Sequence, residues 1–111
     1  MTRFSFVALG ALLLATVLPA AAGPAPDKAA TCAACHGADG KAVMPIYPTL
    51  AGQYANYLSR ALHEYRAGTR KNAVMAAQAA SLSDADIEEL AKYFANLPSP
   101  LYTPGHGKPQ D

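Results

Sequence analysis

The clearest hydrophobic pattern in the chain runs from Gln53 to Ala67 and has the period of an α-helix. Apolar and aromatic residues recur there at intervals of three and four positions, which places them on one helical face. Polar side chains, Ser59 and His63 among them, fall outside this face, and Gly68 is a natural C-terminal stop. The expected apolar face consists of Tyr54, Tyr57, Leu58, Ala61, Leu62 and Tyr65.

A second helical pattern lies near the C-terminus and carries its own boundary signals. Ser83 is a suitable N-cap, and Asp84 and Asp86 follow in the first turn, where the helix dipole favours acidic side chains. Pro98 and Pro100 end the helix because proline cannot continue it. The expected buried face consists of Ile87, Leu90, Ala91, Phe94 and Leu97.

Two shorter helices complete the predicted fold. Asp27 can cap a helix from Lys28 to about Ala34, and Ala73–Ala80 can form another around Met75. The segment Gly37–Leu50 is rich in Gly and Pro and is expected to be an irregular loop. No alternating strand pattern is visible, so the sequence predicts an all-α fold of three or four short helices.

The first 22 residues have the pattern of a secretory signal. Arg3 supplies the positive charge, an uncharged apolar run covers Phe4–Leu18, and Ala20–Ala22 follows as a small-residue cleavage pattern. The apolar run is short for a membrane span, which needs about 20 such residues. We therefore expect cleavage near Ala22 and a periplasmic protein, with an uncleaved membrane anchor as the alternative.

The remaining chain is long enough for one small domain. We expect that domain at residues 23–100, followed by a Pro/Gly-rich tail at 101–111. Hydrophobic residues make up 51% of the sequence, which is enough for a packed core. Without Arg3 the chain has eight Lys and Arg residues against eight Asp and Glu residues. No basic patch stands out, so no nucleic acid is expected as a partner.

The motif with chemical content is Cys32-Ala33-Ala34-Cys35-His36. C-x-x-C-H is the attachment signal of c-type haem: two thiols three positions apart form thioethers with the haem vinyl groups, and the histidine is directed at the iron. A dithiol redox motif would expect a βαβ context, and a zinc site would need a second Cys/His pair. Neither is present in this sequence, which therefore favours one covalent haem c.

A six-coordinate iron would need a second axial ligand, and four residues can supply one. His63 falls outside the apolar face of its helix, and His106 lies between two glycines in the tail. Met44 lies in the loop after His36, which is expected to cover the histidine side of the haem. Met75 follows 39 residues after His36, beyond a full helix that can carry the chain around the haem edge. We expect Met75 to be the ligand, with a core methionine as its alternative role.

These residues resemble the class I cytochromes c of bacteria, in particular one half of the tandem di-haem cytochromes c and small single-haem relatives. The resemblance extends from about Ala29 to Leu97, but a single C-x-x-C-H shows that this chain is not itself a di-haem protein. Gly23–Pro26 stands where the family usually has a longer first helix. The resemblance rests on Cys32–Gly40, Tyr47–Gln53, Tyr57–Leu58, Tyr65–Gly68, Arg70, Met75, Leu82–Asp84 and Ala91–Phe94.

The resemblance implies roles for single residues. His36 resembles the proximal iron ligand of the family, and Met75 resembles the distal one. Pro48 matches the proline whose carbonyl accepts the other N–H of the histidine, which orients the ring. Leu50 is expected to pack on the haem, and the aromatic pair Tyr93–Phe94 is expected to pack against the first helix.

Taken together, the motif and the resemblance predict a periplasmic single-electron carrier with one covalent haem c and His/Met axial ligation, not an enzyme. Its expected partners are a redox protein donor and acceptor that dock transiently, with a membrane-bound oxidase or reductase among the candidates. The main alternative is a haem c electron-transfer subunit of a periplasmic oxidoreductase. A gas or redox sensor, in which an external ligand displaces Met75, and a haem-free dithiol oxidoreductase are the weaker alternatives.

Overall fold

The computed structural model describes residues 23–101, and this part of the chain folds into four α-helices without a strand. This confirms the prediction of an all-α fold. Within the described residues, none of the helices is long and apolar enough to cross a membrane. The helices are α1 (Ala29–His36), α2 (Ala55–Ala67), α3 (Ala73–Ala79) and α4 (Asp84–Asn96).

Three sequence-based predictions fall on residues outside the described part of the chain. They are the signal segment at 1–22, the ligand candidate His106 and all but the first residue of the tail at 101–111. These remain predictions. Leu101, the described residue of the tail, is exposed to solvent.

The core forms where α2 and α4 pack against each other and enclose the start of α1. Leu58 of α2 contacts a cluster made by Leu90 and Phe94 of α4, and Ala29 of α1 completes it. The predicted buried face of α4 is confirmed at its four central positions, which are almost completely inaccessible to solvent, whereas Leu97 lies at the C-cap and is only partly buried. These positions are Ile87, Leu90, Ala91 and Phe94.

The predicted face of α2 is partly wrong. Tyr54 lies at the N-cap position and its side chain is 79% exposed, whereas the polar Ser59 is only 9% exposed. The Ser59 hydroxyl donates a hydrogen bond to the Glu88 carboxylate of α4, which satisfies this buried group. Because α2 packs against both α3 and α4, it is covered over more than one stripe, which a single-face pattern does not describe.

The predicted cap of α1 is also wrong. Lys28, not Asp27, occupies the N-cap position, and no side chain caps the helix. The Ala29 N–H instead donates to the Pro26 carbonyl at 2.9 Å, so the backbone of the proline-rich lead satisfies this group. The helix also extends beyond Ala34 and ends at His36, which places the imidazole at its last position.

The loop after α1 turns back on itself at two glycines with left-handed backbone angles. Gly37 has a φ of 82°, and a Cβ there would lie 2.0 Å from the Lys41 carbonyl oxygen, so no other residue fits. The Gly40 carbonyl accepts hydrogen bonds from the N–H groups of Leu50 and Ala51 at 2.8 and 3.0 Å. These bonds bring the segment that contains Pro48 back to the end of α1.

Candidate functional site

A cavity of about 840 Å³, measured out to its open mouth, lies among the four helices. All four helices and the segment after the α1 loop contribute to the wall, which is mainly apolar. The fold therefore forms an open, mainly apolar site, and the chemistry-bearing residues can be placed relative to it.

Five of the six residues predicted from the sequence line this cavity: Cys32, His36, Pro48, Leu50 and Met75. They come from α1, from the returning loop and from α3, so only the folded chain brings them together. The sixth predicted residue, Cys35, does not line the cavity. Cys35 lies beside Tyr47, and its sulfur raises the pKa of the Tyr47 hydroxyl through a hydrogen bond and through its charge.

The His36 ring is held in one orientation by the returning loop. Its Nδ1 lies 2.7 Å from the Pro48 carbonyl oxygen, and the residue is only 7% exposed. A carbonyl oxygen can only accept, so Nδ1 must carry the proton and donate it. In a neutral imidazole this leaves Nε2 with its lone pair free, which is the form that binds a metal.

Cys32 lies in the wall of the cavity as a partly buried thiol. Burial raises its pKa above that of a free cysteine, which keeps the sulfur protonated. The Sγ donates a weak hydrogen bond to the Lys28 carbonyl oxygen at 3.7 Å. No disulfide joins Cys32 to Cys35, so both sulfurs are free to react with a cofactor.

Among the candidates for the second axial ligand, only Met75 lines the cavity within residues 23–101. Met44 lies in the loop with 49% of its surface exposed. His63 lies near the side chains of Arg66 and Asp84, with its Nδ1 3.1 Å from the Arg66 guanidinium. The Met75 side chain is partly buried in α3.

The N-cap residue that positions Met75 at the start of α3 was not predicted from the sequence. The Asn72 side chain accepts a hydrogen bond from the Met75 N–H at 3.0 Å and so fixes the first turn of α3. An asparagine directly before a run of helix-forming residues is a recognised N-cap signal, and Asn72 precedes Ala73 in this way. Asn72 therefore belongs to the set of residues that shape the site.

The donor set fits a haem and does not resemble a site for a bare cation. It combines an imidazole with a free Nε2, a methionine thioether and a cysteine thiol in an apolar cavity. Haem iron in cytochromes takes nitrogen and sulfur ligands of this kind, and the flat macrocycle needs apolar walls. Within residues 23–101, Arg70 has the only charged side chain in the wall.

Comparison with known proteins places the chain beside electron-transfer proteins. The sequence pattern described as cytochrome c matches residues 20–98. Cytochrome c-554(548) of Halomonas halodenitrificans is 49% identical over 80 residues, which is 69% of this chain and 94% of that protein. A thiosulfate dehydrogenase electron acceptor of Thiomonas intermedia is 43% identical over 101 residues, which is 86% of this chain and 46% of that protein.

A solved structure extends the similarity to the fold. The cytochrome c4 of Acidithiobacillus ferrooxidans superposes with a TM-score of 0.57 at 36% identity, over 60% of this chain and 38% of that one. The chain thus spans almost the whole Halomonas protein but less than half of the Thiomonas and Acidithiobacillus proteins. These findings confirm the resemblance that the sequence motifs indicated.

Proposed function

Because the chain belongs to the cytochrome c family and carries one covalently bound haem c, we propose that it is a periplasmic single-electron carrier. Cys32 and Cys35 hold the haem, and His36 and Met75 ligate its iron. The observation that carries this proposal is the cavity that brings Cys32, His36 and Met75 together from α1 and α3. The haem supplies an iron that takes up and releases one electron.

The protein residues contribute orientation and an apolar environment. Pro48 fixes the ring of His36 through the 2.7 Å hydrogen bond, so that the proton is on Nδ1 and Nε2 would be free to bind the iron. The thioether of Met75 is a soft, neutral ligand that favours ferrous iron and raises the reduction potential. Leu50 packs against the core and lines the cavity, where it excludes water.

The periplasmic location rests on the sequence of residues 1–22, whose charge, apolar run and small-residue pattern are typical of an export signal. The intact mass of the purified protein tests this location together with haem attachment. We expect the mass of residues 23–111 plus one haem. A mass that includes residues 1–22 would contradict cleavage, and recovery from the cytoplasm alone would contradict export.

The experiment for haem attachment uses the two cysteines. The haem should stay on the chain through acid-acetone extraction and denaturing electrophoresis, and the pyridine haemochrome spectrum should be that of a haem with two thioethers. Cys32→Ala or Cys35→Ala should weaken attachment, and the double variant should abolish it. Ala34→Ser, on the exposed side of the same motif, is the matched control. Complete extraction of the haem from the unmodified chain would refute the proposal.

A second candidate function is that of an electron-transfer subunit in a periplasmic oxidoreductase. The Thiomonas relative favours it, because that protein is named as the electron acceptor of thiosulfate dehydrogenase and its similarity covers 86% of this chain. A subunit should copurify with a catalytic partner at native expression levels, whereas a free carrier should elute alone. Reduction of the haem by a purified thiosulfate dehydrogenase would support the second candidate.

A further inference from the structure

The Met75 segment, residues 69–82, is held at both of its ends by the last turn of α2. Two backbone N–H groups at its start donate to the Glu64 carbonyl oxygen, at 3.0 and 3.2 Å. At its end, the Leu82 carbonyl oxygen accepts a hydrogen bond from Nη1 of Arg66 at 2.7 Å. The contact at the start belongs to the backbone, whereas the contact at the end depends on one side chain.

The Arg66 side chain is partly buried and reaches three acceptors at once. Besides the Leu82 carbonyl, its Nη2 lies 2.5 Å from the Asp84 carboxylate at the start of α4 and 3.1 Å from Nδ1 of His63. A guanidinium can only donate, so His63 accepts through Nδ1 in this contact. One side chain of α2 therefore holds both the end of the Met75 segment and the first turn of α4.

Two successive hydrogen bonds connect Arg66 to the helix that carries Met75. The Leu82 N–H donates to the Ala79 carbonyl oxygen at 3.1 Å, so the residue that Arg66 holds is itself bonded to the end of α3. Ala79 is completely buried and lies four positions after Met75, on the same face of the helix. These contacts fix the position of α3 and so keep Met75 in the wall of the cavity.

We propose that Arg66 is a positioning residue, whose hydrogen bond to Leu82 keeps the Met75 segment closed so that the thioether stays on the iron. This inference rests on the proposed function. Residues 72–83 contain no charged side chain, so none of them can form an ion pair of its own with the rest of the fold. Arginine suits this position because its fork can hold a carbonyl and a carboxylate together, and hydrogen bonds from a charged donor are stronger than neutral ones.

The contact has a measurable consequence, because an external ligand can bind the iron only in an open state, in which the segment has moved and Met75 has left the iron. The apparent dissociation constant of such a ligand is its intrinsic constant divided by the fraction of protein in the open state. A hydrogen bond that keeps the segment closed lowers this fraction and weakens the binding. If Arg66 only joined α2 to α4, its loss would lower the stability of the whole fold and leave this local opening unchanged.

The test is the binding of imidazole to the ferric, haem-loaded protein, followed by absorbance at fixed pH and salt. Arg66→Leu should lower the apparent dissociation constant of imidazole by at least about tenfold, because a hydrogen bond from a charged donor is lost. Arg66→Lys keeps the charge without the fork and should lower the constant less. Arg60→Leu is the matched control, since Arg60 is exposed on the same helix and pairs with Glu64 alone within the described residues. It should leave the constant unchanged.

Asp84→Asn separates the two contacts of the guanidinium, because it removes the ion pair and leaves the hydrogen bond from Arg66 to Leu82 in place. We expect it to change the imidazole constant less than Arg66→Leu does. An effect as large as that of Arg66→Leu would contradict the role of the Leu82 carbonyl. Denaturant unfolding of each variant without imidazole measures the stability of the whole fold separately.

Equal imidazole constants for Arg66→Leu and Arg60→Leu would overturn the inference, as would a loss of global stability without tighter imidazole binding. If Arg66→Leu does not accumulate with haem, the comparison of Arg66→Lys with Arg60→Leu decides in the same way. Absence of covalent haem from the unmodified protein would refute the proposed function, whereas an intact haem with unchanged imidazole binding in the variants would refute the role of Arg66 alone.

Discussion

At the scale of single residues, the hydrogen bond between His36 and Pro48 decides what the site can do. A proline carbonyl is a pure acceptor, so it selects one tautomer of the ring and leaves Nε2 available. Burial of His36 protects this bond from competition with water. A surface histidine such as His63, which lies beside Arg66 and Asp84, has no such arrangement.

Met75 is the residue whose role is tested most directly. Met75→Ala should abolish the weak sulfur-to-iron absorbance of the oxidised protein near the red end of the spectrum. It should also lower the reduction potential, because the thioether favours ferrous iron. The measurements are absorbance spectroscopy of the ferric protein and a redox titration.

Met44→Ala is the matched control for this experiment, since Met44 is about half exposed and does not line the cavity. It should leave both the absorbance and the potential unchanged. Loss of the absorbance in Met44→Ala, with its retention in Met75→Ala, would show that the loop supplies the ligand instead.

At the scale of secondary-structure elements, local signals in the sequence predict the helices well and their contacts less well. Ser83 correctly predicts where α4 begins, and the spacing of Ile87, Leu90 and Phe94 correctly predicts which side is buried. Ser59 shows the limit, because its burial depends on Glu88, 29 positions away in another helix. The spacing of apolar residues predicts a single buried face. Because α2 packs against both α3 and α4, residues outside that face are buried as well.

The start of α4 is also joined to α1 through a single carboxylate. Asp86 accepts from the Ser83 N–H at 2.7 Å in a capping box, and it forms an ion pair with Lys28 at 2.5 Å. These partners, with the hydrogen bond from Lys28 as the largest cause, lower the Asp86 pKa to about 2. The carboxylate thus connects the helix that carries the C-x-x-C-H motif to the helix that forms the core.

This pKa predicts how stability depends on pH. An aspartate in an unfolded chain has a pKa of about 3.9, so the ionised Asp86 contributes stability above about pH 4, and the contribution is lost as pH falls to about 2. Asp86→Asn keeps the shape and an acceptor oxygen but not the charge. The variant should be less stable at pH 7 and should lose less stability between pH 4 and pH 2, as measured by denaturant unfolding.

Glu89→Gln is the control for this prediction. Glu89 is exposed on the same helix and forms no ion pair within the described part of the chain. Its removal should leave the unfolding free energy and its pH profile close to those of the unmodified protein. If Asp86→Asn follows the same profile as Glu89→Gln, the link between α1 and α4 does not contribute to stability.

At the scale of the whole molecule, the site combines parts that the sequence shows with parts that only the fold creates. The cysteines and His36 are adjacent in the chain, so their motif is readable directly. Arg70 contacts Tyr65 and Tyr57, which are 5 and 13 positions earlier in the chain. The turn that ends α2 brings Arg70 back to these two rings. No local pattern predicts that a cation lies beside two aromatic rings, so only the folded structure shows this contact.

Eight of the fourteen Lys, Arg, Asp and Glu residues in the described part of the chain are joined in four ion pairs, and the other six are three basic and three acidic residues. The ion pairs are Lys28–Asp86, Lys41–Asp39, Arg60–Glu64 and Arg66–Asp84. Apolar surface remains exposed near the cavity: Tyr57, in its wall, is 47% exposed, and Val74, next to Met75, is 61% exposed. A redox partner would therefore meet mostly apolar surface at the cavity mouth, with polar groups at the rim.

This charge distribution predicts how electron transfer to a natural partner depends on salt. Steering raises association rates only where a field of one sign faces the partner, and paired charges produce little such field. Raising the ionic strength from about 10 mM to about 150 mM shortens the Debye length from roughly 30 Å to roughly 8 Å. We expect the bimolecular rate to change only a few-fold over this range, through a transient interface of less than about 1,200 Å². Stopped-flow kinetics with the purified partner measure this, and a hundredfold fall would show that a charged patch selects the partner.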